Sequence, residues 1–177
     1  RVGVDDRAAA YTAVDYLIRQ GHRKIAVLGG PVTSYPSLMR RQGAQQAMED
    51  AGIVFNDKLY GLSNYDFESA YHAVNSLLAR RAEFTALFAM SDVIAFGAIR
   101  ALVSAGLRVP EDVSVIGFDG ITMSRYCVPV MTTIVQPSEQ IALQSIELLV
   151  RQIEHGSPAQ TVTLQPELQQ GESVRAI

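Results

Sequence analysis

Cysteine is nearly missing from this sequence. Cys127 is the single one, so no intrachain disulfide can form and a reducing compartment fits best. Between Tyr126 and Val128, that thiol reads as a small buried apolar residue rather than a nucleophile. Basic charge is short as well. With 15 Lys and Arg against 18 Asp and Glu the net charge is −3, which argues against this chain gripping nucleic acid by itself, because neutralising phosphates needs a concentrated basic surface. The basic clusters at 22–24 and 80–81 read as helix ends or solvated faces. No uninterrupted apolar run is long enough to span a bilayer, and no signal peptide is visible. The chain opens on Arg1 without an initiator Met, so the native N-terminus is expected upstream.

Catalytic and metal templates are absent too. Gly29 and Gly30 are followed by no Gly-Lys-Ser/Thr, so they do not form a phosphate loop. His22, His72 and His155 show no metal spacing with Cys or acids, and no nucleophile has an evident base. Neither an enzyme nor a resident cofactor or metal is expected.

What is present is an ordinary globular composition: 177 residues, 48% hydrophobic and 19% charged, enough for one well-packed domain or one and a part. Short aliphatic strands alternate with helical patterns. "RVGV" is followed by an Asp5 or Asp6 cap and a helix with Ala10, Val14, Leu17 and Ile18 on one face, closed by Gly21. "KIAVLGG" (24–30) is a buried strand, and after a polar loop a helix runs from about Leu38 to Ala51. "KLYGL" is a weaker strand before a helix from about Phe67 to Arg80. "TALFAM" (85–90) leads through Ser91 and Asp92 into a helix ended by Gly106. "DVSVIGF", an irregular stretch to about Met131, "TTIV", a helix from about Ser138 to Glu154, and "AQTVTL" complete the chain. Val-, Ile- and Leu-rich strands separated by helices predict an α/β fold: a doubly wound parallel sheet covered on both faces.

Ligands of such sheets sit beyond the carboxyl ends of the strands. The loops there offer Ser34, Tyr35, Ser37 and Arg40, then Tyr65 and Phe67, then Ser91 and Asp92, then Asp119, then Gln136. Hydroxyls, a guanidinium, a carboxylate, an amide and a ring suit a small polyhydroxylated molecule, because Arg and Asp bind adjacent hydroxyls while a ring stacks on an apolar face. Each residue also has a structural reading. Asp119, between Phe118 and Gly120, is either turn chemistry or a ligand hook; Asp92 is either a helix cap or a site residue; Arg40 is either a solvated helix residue or a site residue.

Taken in order, the motifs say more. "VDDRAAAYTAVDYLIRQGHRKIAVLGGP", "RRQGAQQAMEDAGI", "TALFAMSDVIAFGAIRALVSAGLRVPEDVSVIGFDG" and "PVMTTIVQP" together resemble the effector-binding core of LacI/GalR-type bacterial transcriptional regulators, in register over almost the whole chain. The resemblance implies a core of the type I periplasmic-binding-protein kind, with two α/β lobes closing on a sugar-like effector. It implies that residues 5–131 form the C-terminal lobe, 132–156 a crossover strand and helix of the N-terminal lobe, and 157–177 a return segment. The helix-turn-helix DNA-binding domain is expected outside this chain. Arg40 matches the ligand-binding arginine, Asp119 the ligand-binding aspartate, Tyr65 a stacking aromatic and Gln136 a hinge residue reaching the ligand. Ser37 is included with the loop hydroxyls, and Ser91 stands where Asn is common. Gly120 replaces a frequent second Asp. The implied partners are a small sugar or polyol, a second copy of the chain, and DNA through the absent domain, with a cytoplasmic location and no membrane. The alternative is a periplasmic sugar-binding protein of a transport system. The helix after Ser138 carries apolar residues on more than one face, so part of it is expected to meet a partner subunit or the missing lobe.

Overall fold

A computed structural model describes residues 1–156 and 158–177; the first residue of the expected return segment, Ser157, lies outside the described residues. In chain order the elements are β1 (Val2–Val4), α1 (Asp6–Arg19), β2 (Ile25–Gly29), α2 (Tyr35–Asp50), β3 (Tyr60–Leu62), α3 (Phe67–Ala79), β4 (Ala86–Ala89), α4 (Asp92–Ser104), β5 (Ser114–Asp119), β6 (Thr132–Val135), α5 (Ser138–His155), β7 (Val162–Leu164) and β8 (Glu167–Gln169).

Six strands form one sheet in the order β3-β2-β4-β5-β6-β8. The first five run parallel, and β8 closes the edge antiparallel to β6. Because the order reverses between β2-to-β3 and β3-to-β4, right-handed crossovers place α2 and α3 on opposite faces. Each face carries a helix pair, α1 with α2 and α3 with α4. Every residue of β2 and β4 is buried, as expected of strands covered on both sides. Two glycines let the paired helices touch: a Cβ at Gly43 would lie 2.0 Å from the Arg7 carbonyl oxygen, and one at Gly97 would lie 2.4 Å from that of Phe67. Among the described residues no helix is long and apolar enough to cross a membrane.

Local chemistry explains the helix starts. Asp5 accepts from the Arg7 and Ala8 amides, Ser34 from Ser37, Asp66 from Ser69 and Ser91 from Ile94. The second helix starts at Tyr35 rather than near Leu38, because the Ser34 cap and Pro36 in the first turn extend it N-terminally.

The crossover strand β6 pairs with β5 from Thr132 to Val135, and the chain departs for α5 at Gln136 and Pro137. The closing segment forms two short strands, β7 paired with β1 in a separate two-stranded sheet and β8 on the edge of the large one. Ser173 then anchors the tail, donating to the Val115 carbonyl and accepting from the Thr132 amide.

Candidate functional site

The carboxyl ends of β2, β4, β5 and β6 gather polar side chains on one rim of the sheet. Arg40 reaches that rim from the second turn of α2 and is buried. Its Nε donates to Asp6 Oδ1 at 2.8 Å, its Nη1 donates to the Met90 carbonyl, and Nη1 lies 3.6 Å from Asp119 Oδ1. Its guanidinium carbon also stands 3.6 Å from the centre of the Phe118 ring, a desolvated cation–π contact. Such a buried cation survives because two carboxylates and a carbonyl compensate its lost hydration.

Asp119 closes β5 with φ at +118°, a region that side chains other than glycine's rarely occupy. Its carboxylate remains 28% exposed. Gln136 Nε2 donates to Asp119 Oδ1 at 2.7 Å, and the Gln136 amide donates to the Asp119 carbonyl at 3.0 Å. The other carboxylate oxygen has no hydrogen-bond partner among the described residues. Burial pushes the Asp119 carboxyl above the usual range, while the Arg40 charge and the Gln136 hydrogen bond pull it back. The strand end is therefore both a strained turn and a presented acceptor, and strain held at such a point is characteristic of functional positions.

The structure does not treat the six expected ligand residues alike. Arg40, Asp119 and Gln136 converge. Tyr65, also at positive φ, lies over Gly30, where a Cβ would come within 2.1 Å of its ring, and its hydroxyl is 3.5 Å from Ser34 Oγ. It shares the rim on the β2 side. Ser37 and Ser91 turn inward. The Ser37 hydroxyl donates to the Gly30 carbonyl and faces Met90, and Ser91 Oγ is occupied in capping α4; both residues are buried. Neither hydroxyl is presented to the rim as the expectation had it, because each satisfies a backbone group of its own loop.

Two residues central to the geometry were not foreseen in their roles. Asp6 is the main ion partner of Arg40, although its sequence position suggests a helix cap; the neighbouring acid, Asp5, takes the cap and leaves Asp6 free to turn toward α2. Asp92 does not cap α4, since Ser91 does. Fully buried, it accepts from the Thr133 hydroxyl and from the Ile121 amide, and burial lifts it to about 6.

A parallel α/β lobe with a carboxylate, an amide and an aromatic ring beyond its strand ends has the layout in which open α/β sheets hold ligands. The family described as periplasmic binding protein-like domain matches residues 14–174, and the chain belongs to it. Its curated relatives are LacI-type regulators. The chain is 36% identical over 171 residues to the HTH-type transcriptional repressor PurR of Histophilus somni, covering 96% of this chain and 51% of that protein. It is 38% identical over 172 residues to the HTH-type transcriptional regulator MalR of Clostridium butyricum, covering 97% and 51% respectively. A solved complex of the transcriptional regulator CelR with cellobiose superposes with a TM-score of 0.93 at 33% identity, covering 97% of this chain and 53% of that one. The chain spans about half the length of the curated relatives it matches.

Proposed function

We propose that this chain is the effector-sensing part of a LacI-type transcriptional regulator. It binds a small sugar or related polyol through Asp119 and Gln136, with Tyr65 as the stacking wall and Arg40 fixing the carboxylate. The observation that carries this reading is the convergence of Arg40, Asp119 and Gln136 on one partly exposed acceptor. Residues 5–131 with β6 form one lobe, α5 with β1 and β7 belongs to the other, and a helix-turn-helix domain elsewhere in the regulator reads DNA. The regulator is cytoplasmic and does not act as an enzyme. A transport protein of the same fold is the lesser reading, since the curated relatives bear regulator names.

The coupling follows from where Gln136 sits. It is the last residue before the chain leaves the sheet for α5, and its backbone and side chain both bond Asp119. An effector held by this pair therefore biases the angle at which the crossover departs. A ligand preferring the closed arrangement shifts the population toward it, and DNA affinity changes by the same differential free energy.

The homodimer is supported by the α3–α4 face. Phe67 and Phe96 stack with centroids 6.2 Å apart, Phe67 stays 57% exposed, and Glu68 and Arg100 flank the same hollow, an arrangement that a two-fold axis would pair acid to base.

The test is thermal stability of the chain titrated with monosaccharides, disaccharides and nucleosides. Binding at a hundred times the dissociation constant adds about 2.7 kcal/mol. A compound that raises the melting temperature of the parent should leave Asp119→Asn and Gln136→Ala unmoved. Variants that respond like the parent sink the site assignment. Arg40→Ala is the poorer probe, because Arg40 also holds the fold together.

A further inference from the structure

Asp92 is a buried carboxylate that the proposed site does not use directly. At the first position of α4 it gathers donors from two other segments. The Thr133 hydroxyl in β6 donates to Oδ1, and the Ile121 amide donates to Oδ2 at 2.8 Å. In β5, Gly117 makes room for the carboxylate, since a Cβ there would lie 2.3 Å from Oδ1. These are the segments that carry the site: Gly120 directly follows Asp119, and Thr133 lies in the strand that ends at Gln136.

We propose that Asp92 is a proton-sensitive positioning residue: its ionised carboxylate ties the loop after β5 to β6, keeps Asp119 and Gln136 in register, and loosens that register on taking up a proton in mild acid, so that effector binding weakens. The link to effector binding rests on the site reading above; the register itself does not. The chemistry is one of donors and acceptors. An ionised carboxylate accepts from the Thr133 hydroxyl and the Ile121 amide at once. Protonation removes the charge that strengthens these bonds: a proton on Oδ2 displaces the Ile121 amide, which cannot accept, and a proton on Oδ1 obliges the Thr133 hydroxyl to reverse and accept.

The position of the titration agrees. Burial pushes Asp92 up to about 6, the hydrogen bonds from Thr133 and Ile121 oppose this, and the Asp119 carboxylate reinforces it. Of the groups facing it, Asp119 in β5 is itself raised by burial, and the Cys127 thiol before β6 is raised by burial and by the Asp92 charge. Arg40 and Asp6 act on Asp119 from beyond it.

Nuclear magnetic resonance of the chain without effector tests the proposal. In the parent, the Gly120 and Ile121 amides and the Gln136 side-chain amide should shift together with a common midpoint near 6, the value given for Asp92. Asp92→Asn should abolish that shared transition and leave only the titration of Asp119. Thr133→Val removes a bond to the charged form and should move the midpoint upward by about half a unit or more. A Gln136 side-chain amide that stays fixed while Gly120 and Ile121 titrate overturns the proposal, as does an unmoved midpoint in Thr133→Val. Since no effector is added, this outcome is independent of the melting titration that decides the effector reading.

Discussion

Helices α4 and α5 both carry apolar residues at helical spacing and meet opposite fates. In α4, seven of 13 residues are buried: Asp92, Ile94, Ala95, Gly97, Ala98, Ala101 and Leu102. In α5, none of 18 is, and Ile146 and Ile153 stand 61% and 74% exposed. The first is wedged between α3 and the strands β4 and β5, whereas the second approaches little besides β1. An apolar stripe announces that a helix has a face to cover but not what covers it. The contrast also separates two jobs. The α4 side is a rigid frame that fixes Asp119 through Asp92, and on the proposed reading the α5 side is the element whose angle reports occupancy.

The frame should be costly to disturb. Arg40→Ala removes the cation that Asp6 and Asp119 share and leaves both carboxylates uncompensated, so a loss of about 3–5 kcal/mol is expected from urea denaturation. Ile94→Ala, in the fully buried part of α4, should cost about 2–5 kcal/mol in the same assay. A loss below about 1 kcal/mol for either would show that the frame is softer than its packing implies.

The stability of the frame should depend on pH through Asp92. Its folded carboxyl is raised from 3.8 to about 6, so between these values the folded state binds more protons than the unfolded one. Stability from this residue therefore falls as pH rises through that window and levels off above it, by on the order of 2–3 kcal/mol in all. His22 works the other way. Burial lowers it beneath 6.5, so its contribution is lost as pH falls below that value. Subtracting the denaturation profile of Asp92→Asn from that of the parent isolates the first slope. A difference flat from pH 4 to 7 contradicts the raised carboxyl.

Asp119→Gly should go in the opposite direction from the core substitutions. Glycine adopts φ +118° without strain, which favours the variant by about 1–3 kcal/mol, offset by the lost Gln136 bond and by the Arg40 cation keeping only the Asp6 carboxylate. The expected result is unchanged or raised stability together with loss of any effector-induced melting shift. A clear loss of stability would mean that the side chain supports the fold more than the strain opposes it.

How much of this was legible beforehand depends on the range of the interactions. The strands β2, β4 and β5 are mostly apolar runs, β2 ending in glycine and β5 in an acid, and the helices have local caps, so both could be read residue by residue. Arg40, Asp119 and Gln136 were located by their place beyond the strand ends and given roles by resemblance; no local pattern distinguishes Asp119 from an ordinary turn aspartate. Ser37 and Ser91 bond their own loops, because a hydroxyl can serve its own loop as well as a ligand, and composition does not decide which. The role of Asp92 depends on Thr133, 41 residues away, and that of Asp6 on Arg40, 34 residues away. The strand β8 is too short to register as a pattern, and it forms because β6 offers an open edge.

The smallest expected effect tests the other half of the comparison. Ile146→Ser and Ile153→Ser alter side chains that are mostly in solvent, so little apolar surface is returned to water on unfolding and the stability of the monomeric chain should change by less than about 0.5 kcal/mol. Measured at low and high protein concentration, the same variants report whether α5 meets a second copy. Sedimentation that weakens in Ile146→Ser, with an unchanged denaturation midpoint at low concentration, places the partner on α5. Sedimentation that weakens only in Phe67→Ser places it on the α3–α4 face instead. A loss near 2 kcal/mol in either α5 variant at low concentration would mean that the helix packs on its own chain in solution, and the distinction between frame and reporter would then fail.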